Sequence, residues 1–240
     1  MKTIIIIIMF LFGAFFIYSM NSDRKESNSN MDTDSTPAPS DFLSMRPTIT
    51  SLPSQEVSPV EEEGLVFMRE EEKLARDVYI TLYEKWGVSI FSNISQSEQT
   101  HTEAVLSVLV KYGLKDPVAD DTVGAFTNVD LKKMYSDLTT QGLTSLNEAL
   151  MVGVIIEDLD IADLQKQIAK TDNEDIKLVY ENLMRGSRNH LRSFYSQLTS
   201  RGGIYKAKYI TQQEFDEIVA SARETGASGG VGKGRGWGGK

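Results

Sequence analysis

The 240-residue chain has only two histidines, and both fall on helix-periodic apolar seams that also carry acids. Residues Leu65, Met68, Glu72, Ala75, Tyr79 and Leu82 make one seam at alternating three- and four-residue spacing, with Glu72 among apolar neighbours. A second runs Phe91, Ile94, Glu98, His101, Val105, Val108, Tyr112, placing a carboxylate and an imidazole one turn apart. A third runs Leu146, Leu150, Gly153, Glu157, Asp160, Leu164, Ile168, and a fourth Ile176, Tyr180, Leu183, Ser187, His190, Phe194. An unpaired carboxylate withdrawn from water costs several kcal/mol even after relaxation, so four in one core would exceed the ~5–15 kcal/mol net stability of a domain. Two divalent cations would cancel the charge of Glu72, Glu98, Glu157 and Asp160, with His101 and His190 as neutral ligands. Oxygen-rich donors with two imidazoles and no sulfur suit iron or manganese, with zinc possible on affinity alone. The competing expectation is that Glu70, Glu71 and Glu72 form a solvated face and that Arg76, Arg185 and Arg188 pair the remaining acids.

These residues need helices to position them, and the punctuation for helices is clear. Ser58-Pro59-Val60-Glu61 reads as a capping box with proline at the first helical position. Ser145 with Glu148, Thr171 with Glu174 and Thr211 with Glu214 repeat the capping pattern. Gly87, Gly113 and the Gly202-Gly203 pair supply stops. The predicted long helices are about 59–86, 89–113, 145–169 and 172–201, with short ones near 128–140 and 211–223. Two- or three-residue joints make helices one and two, and three and four, antiparallel hairpins. About thirty residues separate helices two and three, enough to cross the molecule and start the third parallel to the second. The expected fold class is all-α, a four-helix bundle with one long crossover between helices two and three.

The flanks read differently. An apolar run from Ile4 to Tyr18 would span roughly 23 Å as a helix, short of a roughly 30 Å hydrocarbon core. Residues 1–20 are therefore expected to be a signal peptide, or a retained N-terminal membrane anchor through residues 4–18, with the remainder exported. Residues 21–58 hold most of the prolines and many Ser, Thr, Asn and Asp, the composition of a disordered spacer. The helical domain is placed at 59–223, and a Gly-rich flexible tail at 224–240. The net charge of −9 argues against nucleic acid as a partner, and the lack of cysteine excludes disulfides and thiolate metal sites. Metal ions and a second copy of the chain are the remaining partners expected.

At these residues the chain resembles the ferritin-like superfamily, especially its rubrerythrin-like branch. Glu72-x-x-Ala75-x-x-x-Tyr79 is similar to that branch's first-helix ligand motif, and Glu98-x-x-His101 to the second. The strings EEEKLARDVY, IIEDLDIADLQ and RGSRNHLRSF resemble more closely an uncharacterised prokaryotic ferritin-like family, over roughly Glu62 to Arg201. The resemblance implies that Glu72 is a terminal ligand, Glu98 a bridge, His101 a ligand, and that Glu157 and His190 complete a di-metal site. The superfamily pattern has Glu three residues before the last histidine, where this chain has Ser187, and Asp160 is the candidate to restore the carboxylate count. Classical rubrerythrins also carry a Cys-rich iron domain, which a chain without cysteine lacks.

The expected function is a metal-dependent oxidoreductase acting with oxygen or peroxide, with Tyr79 or Tyr180 as core residues or redox-active phenols. The alternatives are a non-enzymatic metal-binding or cell-envelope module, and a metal-free interaction domain.

Overall fold

The computed structural model describes residues 52–225, which form six helices and no strand. They are α1 (Pro59–Trp86), α2 (Ser89–Lys111), α3 (Val129–Gly142), α4 (Leu146–Ile168), α5 (Glu174–Ser200) and α6 (Gln212–Ala220). The leader or anchor at 1–20, most of the proposed spacer and nearly all of the glycine-rich tail lie outside the described residues. Among those described, no helix is long and apolar enough to cross a membrane.

Local chemistry sets the helix ends. Ser58 accepts the Glu61 amide while Glu61 accepts the Ser58 amide, with Pro59 pre-set for the first turn. Gly87 ends α1 in the left-handed region at φ 63°, and its amide donates to the Tyr83 carbonyl. Ser145 and Thr211 cap α4 and α6 through the amides of Glu148 and Glu214. The expectation for α5 fails: the helix starts at Glu174 after Asn173, and Thr171 is not its cap. Buried Glu61 takes the Thr171 hydroxyl at 2.6 Å and the Asn173 amide at 2.9 Å, so both side chains serve α1 instead.

Pairwise contacts give the helix directions. Glu72 meets His101 and Arg76 meets Gln99, so α1 and α2 are antiparallel. Tyr79 reaches Gly153 while Gly64 faces Gln167, so α1 and α4 are antiparallel. Glu157 meets His190 and Asp160 meets Ser187, which makes α4 and α5 antiparallel, and α2 meets α5 through Glu98–His190 and Lys111–Asp175. Hence α2 and α4 run one way, and α1 and α5 the other. The segment between α2 and α3 lies along α1, and α3 packs on both α1 and α4.

Two apolar clusters fill the interior. One holds Val78, Leu82, Phe91, Ile94, Leu150, Phe194 and Phe215; the other holds Leu65, Met68, Val105, Leu109, Ile176 and Leu183. The seam polar residues lie between them along the helices.

Charged residues of α1 outside its seam fix the crossover. The Glu70 carboxylate accepts the amides of Thr127 at 2.5 Å and Asn128 at 3.0 Å. Lys73, fully buried, pairs with Asp77 at 2.5 Å, donates to the Thr122 carbonyl at 2.9 Å and sits 4.5 Å over the Phe126 ring. Arg69 pairs with Asp116 and Arg76 with Asp121, while Asp77 accepts the Gly124 amide.

On α4, buried Asp158 does the same for the α5–α6 connection. It accepts the Tyr205 hydroxyl at 2.5 Å and the amides of Lys208, Tyr209 and Ile210. At the domain's start, Gln55 accepts the Glu174 amide and the Glu56 carbonyl accepts from Asn173, so the end of the segment read as spacer lies against α5.

Candidate metal centre

Each predicted ligand comes from the middle of a long helix, and α1, α2, α4 and α5 all contribute. Glu72, Glu98, Glu157, Asp160 and His190 are buried, and His101 is nearly so. The Glu70–Glu72 run is not a solvated face, because all three residues are buried. The arginine-paired alternative also fails: among the described residues no lysine or arginine pairs with Glu72, Glu98, Glu157 or Asp160. Arg76 is spent on Asp77 and Asp121, and Arg188 on Glu224.

Glu98 stands at the middle. Its Oε2 lies 2.7 Å from His101 Nδ1 and its Oε1 lies 2.7 Å from His190 Nδ1. Glu72 Oε2 joins the first pair at 3.2 Å from His101 Nδ1, and Glu157 Oε2 joins the second at 3.5 Å from His190 Nδ1. Two triads result, Glu72–Glu98–His101 and Glu98–Glu157–His190, each with donor atoms within 4.8 Å of one another. The two imidazole rings lie 5.6 Å apart, stacked at 27°.

The donor atoms converge and satisfy one another only in part. Glu72 Oε1, Glu98 Oε1 and His190 Nδ1 are buried with no hydrogen-bond partner, although the last two are only 2.7 Å apart. Such proximity without hydrogen-bond alignment suits two ligands aimed at a shared third point. Orphaned buried acceptors cost roughly 1–3 kcal/mol each, more when charged, and a cation removes that cost for several together. The residues present therefore fit a divalent metal pair.

Titration behaviour follows from burial and from the crowd of acids. Burial pushes the Glu72 carboxyl up to about 7, and Glu98 adds to this against the pull of His101. Burial also lifts Glu157, with Glu98 contributing and His190 opposing. For Glu98 burial acts upward, but the His190 and His101 rings outweigh it and hold the carboxyl well below its usual range. Burial works to lower His190, yet Glu98 and Glu157 raise it to about 9, and Glu98 and Glu72 raise His101 in the same way. Protons thus collect on the groups that a cation would claim.

Asp160 stands apart from both triads. Its Oδ2 takes the Ser187 hydroxyl, its Oδ1 has no partner, and burial together with Glu72, Glu71 and Glu157 raises it well above the usual range. Ser187 and Asp160 are thus partners across α4 and α5 at the height where the resemblance expects a glutamate.

Supporting side chains complete the site. Tyr79 donates to Glu157 Oε1 at 2.5 Å and packs against Phe194, so it is a core residue that also orients the Glu157 carboxylate. Tyr180 belongs to the second apolar cluster, with an unpartnered hydroxyl. Ser97 faces His190 Nε2 at 3.0 Å, and by accepting from an Nε2–H it would leave Nδ1 to a cation that displaces the proton shared with Glu98 and Glu157. Gly186 gives His101 room, since a Cβ there would lie 2.5 Å from His101 Cε1. Sequence reasoning missed Ser97, Gly186 and Glu71. Gly186 was the detectable one, as a glycine inside a long helix with no break there needs a packing reason.

The helical region is similar to known proteins. Residues 61–222 match a family model described as an uncharacterized protein domain, DUF2202. The uncharacterized protein MJ0754 of Methanocaldococcus jannaschii is 56% identical over 178 residues, covering 74% of this chain and 96% of the relative. The crystal structure of hypothetical protein MJ0754 aligns at a TM-score of 0.72, covering 72% of this chain and 99% of that one. A family match across most of the helical region, joined to this identity, carries one conclusion: the chain belongs to the DUF2202 family.

Proposed function

We propose that this protein is an exported, ferritin-like four-helix-bundle protein whose core holds two divalent metal ions, with iron or manganese preferred and zinc possible. The bundle reading rests on the helix directions, with α2 parallel to α4 after a long crossover. Export rests on the apolar run at 4–18. The observation that carries the metal reading is Glu98, whose two oxygens each face a different imidazole Nδ1 in a different triad.

In this reading Glu72, His101 and Glu98 hold one ion, and Glu98, Glu157 and His190 the other. A redox-active pair held there would supply electrons and two adjacent coordination points to oxygen or peroxide. The chain's own residues shape that chemistry. Tyr79 keeps a proton at its hydroxyl, because burial, Glu157 and Glu98 push its pKa well up, and it delivers a hydrogen bond to Glu157. Ser97 holds the His190 tautomer, and the apolar clusters above and below exclude water. Asp160, held by Ser187, would add a carboxylate near Glu72 and Glu157.

The test is anaerobic titration of apo-protein with Fe(II), followed by mixing with oxygen or peroxide. Two equivalents bound per chain and rapid oxidation are expected, with turnover once an external reductant is supplied. Binding without rapid oxidation would leave a passive metal module, and no binding would refute the centre.

A further inference from the structure

Glu71 is the residue the centre does not use. It is 4% exposed, no N–H or hydroxyl group donates to either carboxylate oxygen, and its polar neighbour is another acid, Asp163. The acids acting on it most strongly are Asp163 of α4 and its own neighbour Glu72, and it acts in turn on Asp160, one turn from Asp163 on the same helix. Asp160 contributes another orphaned oxygen, Oδ1, and Glu72 contributes Oε1. Asp163 is itself at a surface. It lines a cleft of about 540 Å³ between α1 and α4, together with Gly64, Phe67, Glu70, Lys166 and Gln167.

A buried carboxylate with no donor would normally be removed or paired, because it costs stability and no hydrogen bond offsets it. Here, among the described residues, no arginine or lysine is ion-paired to Glu71, Glu72 or Asp160, and Asp163 carries the acidic cluster out to the cleft. The cation at the outer end is Lys166, whose Nζ is 2.6 Å from Asp163 Oδ1 and whose side chain is 62% exposed. An exposed lysine is easily displaced from such a pair, since an exposed ion pair contributes little.

We propose that Asp163, Glu71 and Asp160 form a conducting path by which divalent cations pass from the α1–α4 cleft to the Glu72 side of the metal centre. The proposal rests on the reading of that centre as a metal site. Glu71 takes a cation from Asp163 as Lys166 swings away, and hands it to Asp160 and Glu72.

The test separates the path from its destination. Full-length apo-protein is mixed with Co(II), and both the rate and the end point of the ligand-field absorption are read. Glu71→Gln should slow filling at least tenfold and leave the final stoichiometry and the spectrum unchanged. Asp163→Asn, at the partly exposed outer end, should slow it severalfold and serves if Glu71→Gln does not fold. Unchanged rates in both variants would overturn the path, and so would lost stoichiometry in a folded Glu71→Gln, which would make Glu71 a ligand. If the unaltered protein gives no Co(II) spectrum sensitive to His101→Ala, the centre itself fails, and the path with it.

Discussion

At the scale of single residues, the centre is an arrangement of side chains that are unsatisfactory partners for one another. Glu98 is its hinge, so Glu98→Ala should abolish binding at both positions, whereas Glu157→Ala should spare the Glu72 side; calorimetric titration with Mn(II) distinguishes the two. Gly186→Ala would set a methyl 2.5 Å from His101 and displace the ring. The variant is expected to fold, because alanine favours a helix, but to lose metal-induced stabilisation at the Glu72–His101 side. Ser187→Glu would place a carboxylate against buried Asp160. Without metal its melting temperature should fall, and with saturating metal the shift should exceed that of the unaltered protein. The triad residues were legible because acids and histidines interrupted otherwise apolar seams. Ser97 and Glu71 were not. A serine one position before a ligand looks like any helix-surface serine, and Glu71 sits in a triplet of acids whose faces cannot be told apart without the partner helices.

At the scale of elements, α1 carries two jobs on different faces. Its seam gives Glu72 and Tyr79 to the interior, while Arg69, Glu70, Lys73, Arg76 and Asp77 tie down the crossover that brings α4 in parallel to α2. Removing one partner of a buried pair strands the other, which typically costs about 3–5 kcal/mol. Asp77→Ala, which strands fully buried Lys73, should destabilise the protein by that amount in urea unfolding. Its metal stoichiometry while folded should stay the same, as Asp77 belongs to neither triad. The four long helices, and the caps of α1 and α4, were legible from periodicity and capping residues. The purpose of the EEEKLARD charges was not, because their partners are crossover carbonyls and amides some fifty residues away. The same non-local competition moved the start of α5. Thr171 had the pattern of a cap, but buried Glu61 offered it a better partner.

At the scale of the whole molecule, stability and metal binding should be linked through protons. Glu72 is raised from 4.5 to about 7 and His190 from 6.5 to about 9. A raised pKa stabilises the fold below the unfolded value and loses that contribution as pH climbs through the folded one. The metal-free protein should therefore weaken steadily between about pH 5 and pH 9. Metal ions displace the same protons, so the stabilisation they bring should grow over that window, approaching about 4 kcal/mol at a thousand times the dissociation constant. Thermal melts at pH 6, 7 and 8.5, with and without Mn(II), measure both slopes. A metal shift that is flat or falls with pH would mean that other groups bind the ion. The most direct test of the central claim is anomalous diffraction from crystals grown with Mn(II) or Fe(II). Two peaks about 3.5–4 Å apart are predicted, on either side of the Glu98 carboxylate, one beside Glu72 and His101 and one beside Glu157 and His190. Crystals at saturating metal with no density at Glu98, or with ions bound only at surface acids, would contradict the account.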